Sequence, residues 1–203
     1  SRHGLKGGRI IEIGCGDGYF LDLMVRLGAG TATGFDPAMA DRATSFVQSP
    51  SVRIVADAFR EGQLQTDFNA LICRHVLEHI PEPLVFMKDI RDAIGDRSCV
   101  VYFEVPNGEW ILRTCSIWDV IYEHVTYWTV PAIETLFCRA GFRPLNSRSA
   151  YGDQFLSIEA VPDTPDPDYL PAAAVRQQMW DLQEGMRGRA AEKLGYWNRR
   201  IGD

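Results

Sequence analysis

Three glycines alternate in Gly14-Cys15-Gly16-Asp17-Gly18, directly after the apolar run Arg9–Ile13, and an acid, Glu12, stands two residues before the first of them. A backbone this bare reaches φ angles that side chains forbid, and it offers N–H groups at the start of the helix expected from Tyr19. That is the equipment for cradling a nucleotide-like cofactor across a strand end. The G-x-G-x-G spacing is not the G-x-G-x-x-G that seats a pyrophosphate. Two more acids follow at the ends of the next strands, Asp36 before Pro37 in "GFDP" and Asp57 before Ala58 in "VADAF". Asp36 is placed to accept hydrogen bonds from both ribose hydroxyls, and the Asp57–Ala58 edge to read an adenine amino group. A tight turn that binds nothing would account for the glycines and leave both acids unexplained.

A second chemistry gathers in "RHVLEHI", Arg74 to Ile80, and "WDVIYEHVTYW", Trp118 to Trp128. An imidazole is the side chain suited to proton transfer near neutral pH, which makes His124 a candidate general base, with Glu123 to orient it or act itself and His79 as a second candidate. Tyr122 or Tyr127 can donate to an oxyanion, and Trp110, Trp118, Tyr127 and Trp128 can wall off water. Such a set can deprotonate a C–H beside a carbonyl. A structural reading of the same residues is a buried aromatic lid with Glu123 and His124 in a hydrogen bond. His75 and His79 are four apart, but without further ligands the pair predicts no metal site, and no C-x-x-C occurs.

These groups need elements to hold them. Strand-like runs at Arg9–Ile13, Thr31–Phe35, Val52–Val55, Phe68–Cys73 and Cys99–Val105 alternate with helical segments, which predicts an α/β, Rossmann-like, doubly wound sheet, mostly parallel. Helices are expected over Tyr19–Leu27, from Pro83 to Gly95, and from Thr129 to Gly141; strands Phe142–Arg148 and Gln154–Val161 would add an antiparallel edge hairpin and make seven strands. The expected division is a domain over 1–161, a Pro/Asp-rich linker over 162–171 and an amphipathic tail over 172–203. Val175, Met179, Leu182, Met186, Ala190 and Leu194 would form the tail's stripe.

Composition narrows the partners. A net charge of -6 argues against nucleic acid, and no apolar run approaches the roughly 20 residues of a membrane helix. Five scattered cysteines read as buried thiols and an expected cytoplasmic location.

Taken together, "EIGCGDG", "GFDP", "VADAF" and "CRHVLEHIPEP" resemble the class I S-adenosylmethionine (SAM) dependent methyltransferases over roughly the first 105 residues. The resemblance implies SAM as cofactor and assigns its binding to Glu12, Gly14, Cys15, Gly16, Gly18, Tyr19, Asp36, Pro37, Asp57, Ala58, Arg74 and His75, with His75 as a pocket wall. Glu12 would sit badly beside a pyrophosphate and well beside the SAM sulfonium or ammonium, which weighs against a dehydrogenase. "EVPN", "IWDVIYEHVTYWT" and "LFCRAGF" resemble the sugar C-methyltransferases, which alkylate a carbon beside a ketone on a nucleotide-linked deoxysugar. That resemblance implies a small-molecule acceptor and gives His124, Glu123, Tyr122, Tyr127 and His79 the catalytic roles. The run here lacks one histidine of the family's "YHEH-x-x-Y", which leaves the register of Tyr122 open. The family's N-terminal zinc-binding domain has no counterpart, and the helical tail is expected to lead to a further C-terminal domain. A small-molecule O- or N-methyltransferase, and a non-catalytic SAM-fold module that binds a partner, are the competing expectations.

Overall fold

A computed structural model describes residues 3–40, 46–60, 62–64 and 66–201. Its strands are β1 (Arg9–Ile13), β2 (Thr31–Phe35), β3 (Val52–Val55), β4 (Ala70–Arg74), β5 (Val100–Pro106), β6 (Phe142–Ala150) and β7 (Phe155–Pro162). Among the described residues they form one seven-stranded sheet in the order β3-β2-β1-β4-β5-β7-β6. β1 to β5 run parallel, with Ile13 opposite both Phe35 and Cys73, and Arg74 opposite Glu104. β7 enters antiparallel between β5 and β6. β1 has β2 on one side and β4 on the other, so the connections diverge there and open a crevice at the carboxyl ends of these two strands.

The parallel strands read as unbroken apolar runs because helices cover both faces. Ile11, Leu71, Cys73, Val101 and Phe103 point to one face, where Met87 and Ile90 of α2 (Pro83–Ile94) and Ile133 and Phe137 of α4 (Val130–Ala140) meet them. Ile10 and Ile72 point to the other, against Leu21 of α1 (Tyr19–Arg26). Each large side chain buried this way contributes about 1.5–3 kcal/mol, so this core sets the sheet and the polar groups at its rim are free to serve a site. All five cysteines are free thiols and four are buried.

Three segments depart from what the sequence predicts. A short helix, α3 (Gly108–Thr114), follows β5, begun by Asn107, whose side chain accepts from Glu109 N. The segment expected as an extended linker is tied down, Asp163 N donating to Gly141 O and Asp166 N to Cys138 O. The tail is one helix, α5 (Ala173–Ile201), running through Gly185, Gly188 and Gly195. Val175, Met179, Leu182, Met186 and Ala190 are half-buried as the stripe predicts, but Leu194 is exposed. Lys193 faces inward instead, its Nζ bonded to the carbonyls of Thr114 and Cys115 at the end of α3. Among the described residues no helix is long and apolar enough to cross a membrane.

Candidate active site

The glycine loop crosses the carboxyl end of β1 with positive φ at Gly14 (+71°), Gly16 (+52°) and Gly18 (+84°). A Cβ on Gly14 would overlap Val76, whereas one on Gly16 would meet nothing within 4 Å. Gly14 is therefore required by packing, and Gly16 presents left-handed backbone to open space. Asp36 joins this loop to the next: its Oδ2 accepts from Gly16 N at 2.7 Å and its Oδ1 from Ala38 N at 2.8 Å, capping the short turn that begins at Pro37. Asp57 lies half-exposed beyond β3, its Oδ1 taking Ala58 N at 2.8 Å and Arg60 at 3.2 Å. Cys15 is buried, and Tyr19 lies exposed at the start of α1 with its ring edge against Phe46.

Behind the loop lies a chain of charges. Glu12 is 2 % exposed, its Oε2 has no hydrogen-bond partner, and its Oε1 is 3.8 Å from Arg74. Burial pushes the Glu12 carboxyl up to about 8 against the pull of the Arg74 guanidinium. Arg74 stacks over the Phe20 ring at 4.2 Å and reaches Glu104 at 3.3 Å. Glu104 also takes Tyr102 Oη at 3.0 Å and His75 Nε2 at 3.3 Å. The bond to His75 holds Glu104 down at about 2, and the bonds to Glu104 and Glu78 lift His75 to about 9. His75 is thus a held cation near neutral pH rather than a base. Glu104 opens "EVPN" in the sequence, and the signal that marks it is an acid inside the apolar strand 99–105.

This pair sets a pH window. Glu104, with an ordinary value of 4.5, contributes stability above that pH and loses it as pH falls toward 2. His75, ordinarily 6.5, contributes below that pH and loses it as pH rises through about 9. Glu104→Gln is expected to lower the melting temperature most between 4.5 and 6.5. A difference from wild type that stays constant from pH 3 to 10 would remove this assignment.

The second stretch is fastened to the turn after β4 by main-chain bonds. Val125 N and Thr126 N donate to Glu78 O at 2.9 and 3.1 Å, and Thr126 Oγ1 donates to Leu77 O. This brings His79 and His124 together with ring centroids 5.0 Å apart. His79 Nδ1 meets Glu123 O at 2.8 Å and His124 Nδ1 meets Asp119 O at 3.0 Å. A carbonyl only accepts, so both Nδ1 atoms carry hydrogen, and the position left for a lone pair on each ring is Nε2. Val76, against Gly14, places this histidine pair one turn away from the glycine loop.

Several expectations for this stretch are corrected. Tyr122 is 90 % exposed and Trp118 85 % exposed, so neither closes off a pocket. The Glu123 side chain is exposed, and it is its carbonyl, not its carboxylate, that orients a histidine, His79 rather than His124. Tyr127 does approach, its ring 6.3 Å from that of His124, and Trp128 is buried with Nε1 on Thr126 Oγ1. Tyr127 also lines a cavity of about 780 Å³ with Ile111 of α3, Ala132 of α4, and Met179, Trp180 and Met186 of α5.

Residues 2–147, well over half of the chain, match the family described as a methyltransferase domain. The chain belongs to this family. Over 121 residues the methyltransferase is 29 % identical to the mitochondrial ubiquinone biosynthesis O-methyltransferase of Schizosaccharomyces pombe, covering 57 % of this chain and 40 % of that protein. Over 191 residues it is 27 % identical to the tRNA U34 carboxymethyltransferase of Ectopseudomonas mendocina, covering 80 % of this chain and 56 % of that one. The methyltransferase thus spans about half the length of these curated relatives. A SAM-dependent methyltransferase from Mesorhizobium loti shares its fold at a TM-score of 0.61 and 15 % identity, over 77 % of this chain and 92 % of that one. The fold is that of the class I SAM-dependent methyltransferases, and SAM is the cofactor it serves.

The residues present fit that cofactor. The unpartnered Oε2 of buried Glu12 suits a cation, and the space beside Gly16 admits a ligand against bare backbone. Asp36, with lone pairs beyond its two main-chain bonds, is the acceptor available for ribose hydroxyls.

Proposed function

We propose that this methyltransferase moves the SAM methyl group onto an ionisable hydroxyl of a small molecule with an apolar body. The observation that carries the reading is the His79–His124 pair, its Nε2 lone pairs free and its turn packed against the glycine loop through Val76. When bound, SAM supplies an electrophilic methyl carbon on a sulfonium. Glu12, Gly14, Gly16 and Asp36 would hold it. His79 or His124 Nε2 takes the hydroxyl proton, which makes the acceptor oxygen nucleophilic at neutral pH. The cavity lined by Tyr127, Ile111, Met179 and Trp180 receives the apolar body and keeps water away. The O-methyltransferase among the relatives supports an oxygen acceptor. The chain's charge of -6 disfavours a nucleic-acid acceptor such as that of the tRNA enzyme.

A carbon acid beside a ketone, as on a nucleotide-linked deoxysugar, is the second reading. It is favoured by Tyr127, a donor with its ring edge toward a base. It loses weight from the exposure of Tyr122 and Glu123. Turnover of phenolic acceptors and of keto sugars deuterated at the carbon beside the ketone, read by product mass, separates the two. Transfer to oxygen leaves every carbon-bound hydrogen of the acceptor in place, whereas transfer to carbon requires one to be lost. Methylation of keto sugars alone would overturn the first reading.

A further inference from the structure

We propose that Glu78, His79 and His124 form a site for a divalent transition-metal ion of the zinc type, with an open coordination position for the acceptor's oxygen. One candidate ligand atom from each residue lies within 4.8 Å of the other two. Glu78 is 2 % exposed and its Oε2 has no hydrogen-bond partner. A buried carboxylate oxygen left without a partner is costly, and a cation would relieve that cost. His75 Nδ1, 3.6 Å away, faces Oε1 and leaves Oε2 to the trio.

The histidines are arranged as ligands are. Each commits Nδ1 to a main-chain carbonyl, Glu123 O for His79 and Asp119 O for His124, which fixes the tautomer and turns the Nε2 lone pair outward. Two imidazoles and one carboxylate leave a tetrahedral ion with a fourth position, the donor set of catalytic rather than structural zinc. Bonds of about 2.0–2.2 Å require ligand atoms roughly 3.3 Å apart, a contraction that side-chain rotation in exposed His79 and half-buried His124 supplies. In the sequence His75 and His79 stand four apart and predict no metal site; the third ligand, His124, lies 45 residues downstream of His79.

The inference rests on the proposed function for what the ion does, not for whether it binds. A hydroxyl oxygen coordinated at the open position ionises far more readily, as zinc-bound water does when its pKa falls to about 7. The O–H bond breaks, the oxygen stays on the ion, and the proton passes to bulk water. While the ion is bound both Nε2 atoms are its ligands, and the ion takes over from them the task of ionising the hydroxyl.

The test uses the whole chain after dialysis against EDTA, titrated calorimetrically with zinc chloride, with S-adenosylhomocysteine binding as the control for folding. Wild type is expected to bind one zinc ion, His79→Ala and His124→Ala about 100-fold more weakly, and turnover to fall at least tenfold in EDTA and return with zinc. Equal zinc binding by wild type and the His79→Ala/His124→Ala double variant, both still binding S-adenosylhomocysteine, would overturn the site. Undiminished turnover in EDTA without zinc binding would also overturn it and leave proton transfer by the histidines standing. Zinc bound as expected, with no hydroxyl acceptor methylated, would support the site and overturn the hydroxyl acceptor.

Discussion

Asp36→Ala is expected to weaken S-adenosylhomocysteine binding about 100-fold or more while leaving the chain folded. The carboxylate joins two loops, Gly16 N on one oxygen and Ala38 N on the other. Its removal has two consequences. The glycine loop loses the bond from Gly16 N, a position with positive φ. The ribose loses a charged acceptor, and a hydrogen bond to a charged group is worth about 1.5–3 kcal/mol, or roughly ten- to 150-fold in affinity for each hydroxyl. Loss of the cap at Ala38 adds about 1 kcal/mol to the destabilisation, a fall in melting temperature of about 2–4 °C for a chain of this size. Asp36→Asn keeps one acceptor oxygen and belongs between the two. Calorimetric affinity unchanged in Asp36→Ala would remove Asp36 from the donor site.

The largest effect on turnover is expected from His79→Ala combined with His124→Ala, a loss of about 10²–10⁴-fold at unchanged cofactor affinity. The two rings are bonded to Glu123 O and Asp119 O and not to Gly16 or Asp36, so their removal leaves the bonds that order the donor site in place. Each single variant is expected to cost less, since one Nε2 remains to hold an ion or take the proton. Tyr122→Phe is the matched control: the sequence pattern gives Tyr122 a role, its 90 % exposure gives it none, and turnover should not change. A parallel loss of cofactor binding in the double variant would mean that the pair supports the donor site rather than the acceptor.

The donor half of the site was legible because its chemistry is local. Bounds for β1, β2 and β3 follow from short apolar runs that end in glycine or an acid, and Glu12, Asp36 and Asp57 stand at or beside those ends. β4 begins at Ala70 rather than Phe68, since Phe68 packs in the core from outside the ladder. The helix α3 was not legible: seven residues make two turns, too few for a helical period to declare itself. The acceptor half was partly hidden for a different reason. His124 reaches His79 through main-chain bonds from Val125 and Thr126 to Glu78 O, which no side-chain pattern encodes. The same bonds turn Tyr122 and the Glu123 carboxylate outward, against the roles implied by the "YEHVTY" run. In the tail, the apolar stripe predicted the packed face as far as Ala190. It failed at Leu194 because the free carbonyls ending α3 attract Lys193 instead.

The central claim, that the crevice beside the glycine loop binds SAM over the buried Glu12 carboxyl, is tested most directly by calorimetry of SAM binding at pH 7 in buffers of different ionisation enthalpy. Glu12 sits at about 8 in the free protein and is largely protonated at that pH, and a bound cation drives it to ionise. One saturable site is expected, with release of up to about 0.9 proton, from a group about one pH unit above the measurement. No binding heat at millimolar SAM, or binding with no proton released, would contradict the account.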